Sequence, residues 1–283
     1  MTEPELVATC WTSAGDAAPM RKTERSPLDP LERVREVGAA GWMGLGFVLD
    51  DLRAIRDTIG YDALADEISG AGLRHGEVEL CSGWWKDPEG AWRGHWEELL
   101  EAAQRLDVAF IKIGTDSAPA VEDVEPFVEP LRRLAAEAES YGTKVALEPL
   151  PFGMIASIPQ GAELIRRVDH PAAGLVVDYW HVFRAGTSLE ELRSALTADQ
   201  VFGVELCDAD ETVVGTLFED TRDNRRLIGE GDQDVCGFIE TLRAIGYDGP
   251  WGVEILSEDH RRRPLHEALD VARRTALSAF DVA

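Results

Sequence analysis

The chain has 283 residues, 45% of them hydrophobic and 29% charged, a length and balance that suit one globular domain able to bury its own core. Fifty-three acidic residues against 28 basic ones leave a formal charge of −25, which argues against nucleic acid or an anionic membrane surface as a partner. Four scattered cysteines, none in a CxxC pair, suggest neither a disulfide framework nor a zinc knuckle. The first residues lack a signal-peptide pattern and no run approaches 18 apolar residues, so a cytoplasmic protein is expected, with homo-oligomerisation left open.

In chain order, short apolar or β-branched runs at 6–11, 43–48, 76–81, 109–113, 144–150, 174–178, 201–207 and 251–256 read as eight strands. Between them, apolar residues at three- and four-residue spacing mark helices at 30–40, 92–106, 125–141, 163–168, 189–196, 238–245 and 265–280. A further helical slot at 50–69 is broken at Gly60. Eight strand–helix units predict α/β architecture, a single (βα)8 barrel over residues 1–283, with its active site at the C-terminal ends of the strands. No GxGxxG fingerprint follows the first strand; the Gly41, Gly44, Gly46 set enters a strand instead. Two long connections, 12–29 and 209–235, follow strand C-termini and are expected to act as binding loops or lids.

The chemical signal lies in acids at the ends of otherwise apolar strands: Glu148 in VALEP, Asp178 in GLVVD, Glu205 in VFGVELCD and Glu254 in WGVEI. One such residue is ordinarily a cap. Four on consecutive strands converging on a barrel mouth would repel one another, and a divalent cation is the simplest compensation. Lys112 is unusual within an apolar strand and must be paired or near the mouth. Trp11, Trp84, Trp85 and Trp180 follow strand ends, where they could stack on a ring or roof the core.

The stretch from Lys144 to the C-terminus resembles the xylose-isomerase-like, or sugar phosphate isomerase/epimerase, TIM-barrel superfamily, which includes ketose 3-epimerases, inosose and dehydroshikimate dehydratases and endonuclease IV. The resemblance rests on LEP at 147–149, DxxH at 178–181, ELCD at 205–208, RLIGEG at 226–231 and GYDGPWGVEI at 246–255. It implies metal ligation by Glu148, Asp178, Glu205 and Glu254, with Glu205 standing where many relatives have histidine. An all-oxygen set favours one Mn²⁺ or Mg²⁺ ion. The resemblance also implies that Glu148 and Glu254 transfer protons through an enediolate, and that His181 and Arg226 contact substrate, with Trp11, Trp180 and Lys112 as further candidates. The implied activity is isomerisation or epimerisation of a ketose or related polyhydroxylated carbonyl compound. The alternative is a lyase or dehydratase acting on a keto-sugar or cyclitol, in which Lys112, His95 or Glu79 would supply a second acid.

Overall fold

A computed structural model describes residues 3–283. Eight parallel strands close into one barrel in sequence order: β1 (Leu6–Ala8), β2 (Gly44–Val48), β3 (His75–Cys81), β4 (Phe110–Ile113), β5 (Val145–Leu147), β6 (Ala173–Asp178), β7 (Val201–Leu206) and β8 (Trp251–Val253). Closure is made by β1 against β8, with Leu6, Val7 and Ala8 opposite Trp251, Gly252 and Val253. This is the (βα)8 barrel expected from the sequence. Among the described residues no helix is long and apolar enough to cross a membrane.

The helices are α1 (Cys10–Ser13), α2 (Pro30–Ala39), α3 (Leu49–Thr58), α4 (Tyr61–Gly70), α5 (Trp92–Leu106), α6 (Glu125–Ser140), α7 (Ile158–Val168), α8 (Tyr179–Arg184), α9 (Leu189–Ala195), α10 (Leu217–Asp223), α11 (Val235–Ala244), α12 (Glu258–Arg261) and α13 (Leu265–Phe280). Gly60, at φ 79°, divides α3 from α4 as its position suggested. Helix α7 begins five residues before the expected start, because the Ser157 side chain accepts from the Gln160 N–H and Pro159 sits in the first turn.

Four strands, β1, β5, β7 and β8, end earlier at the mouth than their apolar runs. At β1 the chain turns into α1 after Thr9, and Thr12 Oγ1 donates to the Val253 carbonyl at 2.6 Å and accepts from the Ile255 N–H at 2.8 Å. The Thr12 hydroxyl thus continues the β1–β8 seam where the backbone leaves it. At β5, Pro149 removes a ladder donor, and the last ladder bond runs from the Glu148 N–H to the Ile113 carbonyl.

Both long connections are anchored. In the first, buried Arg33 donates to Asp51 at 2.8 Å, to Ser13, and to the carbonyls of Cys10 and Gly46, while Asp51 also receives the Ser26 N–H. In the second, the Asp208 carboxylate accepts the N–H groups of Gly229, Gly231 and Gln233 at 2.9–3.1 Å. A Cβ at position 231 would stand 2.5 Å from Asp208 Oδ1, so the turn needs glycine there. Arg184 ties α10 to the same loop through Asp220 at 2.8 Å and the carbonyls of Asp210 and Glu211. Asp208 therefore organises the 226–231 turn.

The barrel interior also holds Glu77 of β3, whose carboxyl burial pushes up to about 7 against the pull of Lys112. With its folded value raised above the ordinary 4.5, the carboxyl imposes no penalty below pH 4.5. Stability is lost as pH rises, because the unfolded chain ionises first, and the loss is complete above about pH 7. Glu77→Gln is expected to be about 3 kcal/mol more stable than the parent at pH 8 and no different at pH 4. Urea midpoints across that range check it; a gap independent of pH would contradict the assignment.

Candidate active site at the barrel mouth

Each of the last four strands carries its acid to one place by simple geometry. Asp178 ends β6 and pairs in register with Glu205 of β7. Glu205 in turn lies beside Gly252 of β8, where a Cβ would meet the Val204 carbonyl at 2.5 Å and Glu205 Cγ at 3.3 Å. Glu148 and Glu254 sit one residue past β5 and β8, still held by ladder bonds to Ile113 and Leu206. Asp178 also caps α8, its Oδ1 accepting the His181 N–H at 3.1 Å, which sets His181 one helical turn above the strand end.

The four carboxylates Glu148, Asp178, Glu205 and Glu254 each offer an oxygen within 4.8 Å of the others, and all four are buried. A second grouping joins Glu148 and Asp178 to His181. Two buried cations enter the cluster. Lys112 Nζ lies 2.5 Å from Glu205, 2.8 Å from Glu79 and 3.5 Å from Glu254. Arg225 Nη1 lies 2.6 Å from Asp178 and 3.2 Å from Glu254, and its guanidinium rests 5.5 Å from the Trp180 ring centre.

Five carboxylates, counting Glu79, against Lys112 and Arg225 leave three negative charges uncompensated if all ionise. The local balance follows. Burial opposes ionisation of Glu148, but Lys112 and His181 outweigh it and bring the carboxyl down to about 2. Asp178, also resisted by burial, is held well below the usual range by Arg225. Burial and neighbouring acids push Glu254 up to about 8, and Glu205 well above the usual range by burial and Glu254, despite its contact with Lys112. Burial disfavours the Lys112 ammonium, yet the surrounding glutamates hold its pKa well above the ordinary value. Glu205 Oε2 and Glu79 Oε1 are buried without a hydrogen-bond partner. Buried oxygens in that state call for a proton or a cation. The carboxylates of Glu148, Asp178, Glu205 and Glu254 could therefore hold one divalent ion through oxygen.

Above this floor a cavity of about 430 Å³ opens to the surface. Its lining includes Trp11, Lys112, Glu148, His181, Arg225 and Glu254, and both long connections contribute, through Met20 and Phe218 among others. His181 Nε2 is 3.4 Å from Glu148 Oε1, and its Nδ1 has no hydrogen-bond partner.

Residues 31–275 match the family described as xylose isomerase-like TIM barrel. The chain belongs to this family. Among its xylose isomerase-like relatives, the 3-dehydroshikimate dehydratase of Pseudomonas putida is 29% identical over 191 residues, covering 64% of this chain and 30% of that protein. The inosose isomerase of Bacillus subtilis is 25% identical over 185 residues, covering 63% of this chain and 65% of that protein. The chain spans about a third of the dehydratase relatives' length. A solved structure of an IolI protein with a bound zinc atom superposes with a TM-score of 0.83 at 19% identity, over 98% of both chains.

Two sequence-derived candidates lie elsewhere than expected. The Arg226 side chain points away from the cavity and pairs with Asp210 at 2.7 Å, half exposed. Its backbone bridges Asp208, and in this extended segment neighbouring side chains alternate faces, so Arg225 turns inward instead. Trp180 is wholly buried; it stands edge-on to His181 at 5.1 Å and supports it and Arg225 without lining the cavity. Trp84 is likewise buried, donating to the Gly114 carbonyl at 2.9 Å. Of the three second-acid candidates, Glu79 and Lys112 line the cavity and His95 is exposed on α5.

Arg225 could not be singled out from the RDNRR sequence at 222–226 alone; the signal was the alternation about the Asp208–Arg226 bridge. Arg225→Met is expected to cost about 3–5 kcal/mol by leaving Asp178 buried and unpaired, while Arg226→Ala changes stability by less than about 1 kcal/mol. Denaturant unfolding of the two variants decides, and equal losses would contradict the inward placement of Arg225.

Proposed function

We propose that the chain is a divalent-metal-dependent enzyme that moves a proton at a carbon next to a carbonyl, acting on a hydroxylated carbonyl compound as an isomerase or epimerase. The observation that carries this reading is the buried four-carboxylate cluster, which together with the adjacent Glu79 has three charges uncompensated and two orphaned oxygens. Glu148, Asp178, Glu205 and Glu254 would hold the ion, with Mn²⁺ or Mg²⁺ preferred by their hard oxygen donors. When bound, the ion supplies polarisation of the substrate carbonyl and its neighbouring hydroxyl.

Glu148 and Glu254 reach the site from strands three places apart, so one can take the proton and the other return it. Arg225 holds Asp178 and Glu254 in place, and His181 beside Glu148 is within reach of a substrate hydroxyl at the cavity floor.

The second reading is a dehydratase. It is favoured by the Glu79–Lys112 pair at the cavity floor, a second proton source that could assist departure of a hydroxyl, and by the matches to dehydroshikimate dehydratases. Incubating the Mn²⁺-loaded protein with hydroxylated ketones in deuterium oxide tests both. Deuterium at the carbon beside the carbonyl supports the common step, and loss of water with it selects the dehydratase. No exchange by a protein that binds the metal would overturn the proposal.

A further inference from the structure

The floor and the walls of the mouth cavity differ in chemistry. Most of the charged groups lie at the bottom, and only Glu24, whose carboxylate accepts the Met20 N–H, stands on the first long connection, whereas Trp11, Leu80, Leu150, Phe152, Phe218 and Leu256 form most of the walls. Phe152 makes edge-on contacts with His181 at 6.2 Å and with Phe218 at 6.0 Å, so an aromatic column runs from the floor to the second long loop. At the rim, Met20, on the connection after β1, is 77% exposed and Leu80, near the end of β3, is 39% exposed.

The few hydroxyls on these walls are already engaged. Thr221 Oγ1 accepts from Arg225, Thr115 Oγ1 accepts the N–H groups of Met154 and Ile155, and Ser117 Oγ donates to the Phe152 carbonyl. A fully hydroxylated open-chain sugar would place many of its hydroxyls against the carbon of these walls, where they lose water without full replacement. A volume of about 430 Å³ also exceeds what a bare six-carbon polyol fills.

We propose that the substrate is amphiphilic: a hydroxy-carbonyl head that reaches the carboxylate floor, joined to an apolar, ring-bearing portion that packs against Phe152, Phe218 and Trp11. This names the substrate class of the site proposed above and rests on that reading for its head group alone. Aromatic walls take a ring by edge or face contact, and the exposed Met20 and Leu80 become covered when the tail fills the vestibule.

Two α-hydroxy ketones with the same head separate the contributions. Binding of 2-hydroxyacetophenone and of hydroxyacetone is measured by calorimetry on the full chain with and without Mn²⁺, with D-fructose as the polyol. The phenyl compound is expected to bind at least about tenfold tighter than either of the others. Phe218→Ala should reduce the preference to below about threefold. Leu80→Glu, at an exposed position that does not endanger folding, should reduce it as well. Equal affinity for the phenyl and methyl compounds overturns the proposal, as does tighter binding of fructose or no binding of 2-hydroxyacetophenone up to about 10 mM. Because the readout is a ratio, the two readings fail separately. A protein that ignores Mn²⁺ but keeps the phenyl preference refutes the metal site and keeps the vestibule, and one that binds Mn²⁺ without the preference does the reverse.

Discussion

Replacing Lys112 with methionine is expected to lower the stability of the metal-free protein by about 3–5 kcal/mol at pH 8, because it removes the cation from a buried cluster and leaves Glu79 and Glu205 unpaired. The loss should shrink on acidification. Glu205 and Glu254 have folded values above the ordinary one, so below pH 4.5 they are protonated in both folded and unfolded chains and need no cation. As pH rises, the unfolded chain ionises first and the deficit grows. The double variant Lys112→Met/Glu205→Gln removes a charge of each sign and should recover at least half of the loss. Added Mn²⁺ should stabilise Lys112→Met more than the parent, since the ion takes over the neutralisation that Lys112 provided. Urea unfolding at several pH values, with chelator or with Mn²⁺, reads all three effects. A Lys112→Met protein as stable as the parent at pH 8 would show that the ammonium does not offset the cluster.

The second large effect concerns the ligands. Millimolar Mn²⁺ is expected to raise the melting temperature of the parent by about 5 °C, the shift for a ligand present at roughly a hundred times its dissociation constant. In Glu148→Gln or Glu254→Gln that shift should fall below about 1 °C. Deuterium exchange into a hydroxy ketone should fall by about 10²–10⁴, since each substitution removes a proton-transferring carboxylate together with a ligand. Glu205→His keeps a ligand while removing a negative charge, and should turn the preference toward Zn²⁺ or Co²⁺. Glu205→Ala retaining full Mn²⁺ affinity would remove Glu205 from the shell and leave three carboxylates as ligands.

Much of this site is legible without coordinates. An acid at the end of an apolar strand is visible as a break in pattern, and four such breaks in successive strands already imply a shared location once the strands are taken to form a closed parallel barrel. Lys112 stands out for the same reason, as a charge inside FIKI. Two further acids, Glu77 and Glu79, are harder to interpret. Both occur in a strand of alternating character, HGEVELC, where a glutamate every second residue ordinarily means a solvated face. In the closed barrel that face is the interior, and Glu79 becomes the partner of Lys112.

Sequence alone determined what depends on local rules: the order of eight strands and their helices, the Gly60 break, the strand-end carboxylates and the family resemblance. Tertiary structure decided what depends on the direction of a side chain relative to distant chain. Arg225 and Arg226 are adjacent and chemically identical, and only the Asp208 bridge, closed across 18 residues, turns one toward Asp178 and the other toward Asp210. The pairing of Lys112 with Glu205 spans 93 residues and depends on where β4 and β7 point across the barrel. The apolar vestibule draws Leu80 from the end of β3 and Trp11, Phe152 and Phe218 from the connections after β1, β5 and β7. Their convergence has no signature in spacing, because barrel closure, which brings strand ends together regardless of sequence separation, is a property of the whole chain.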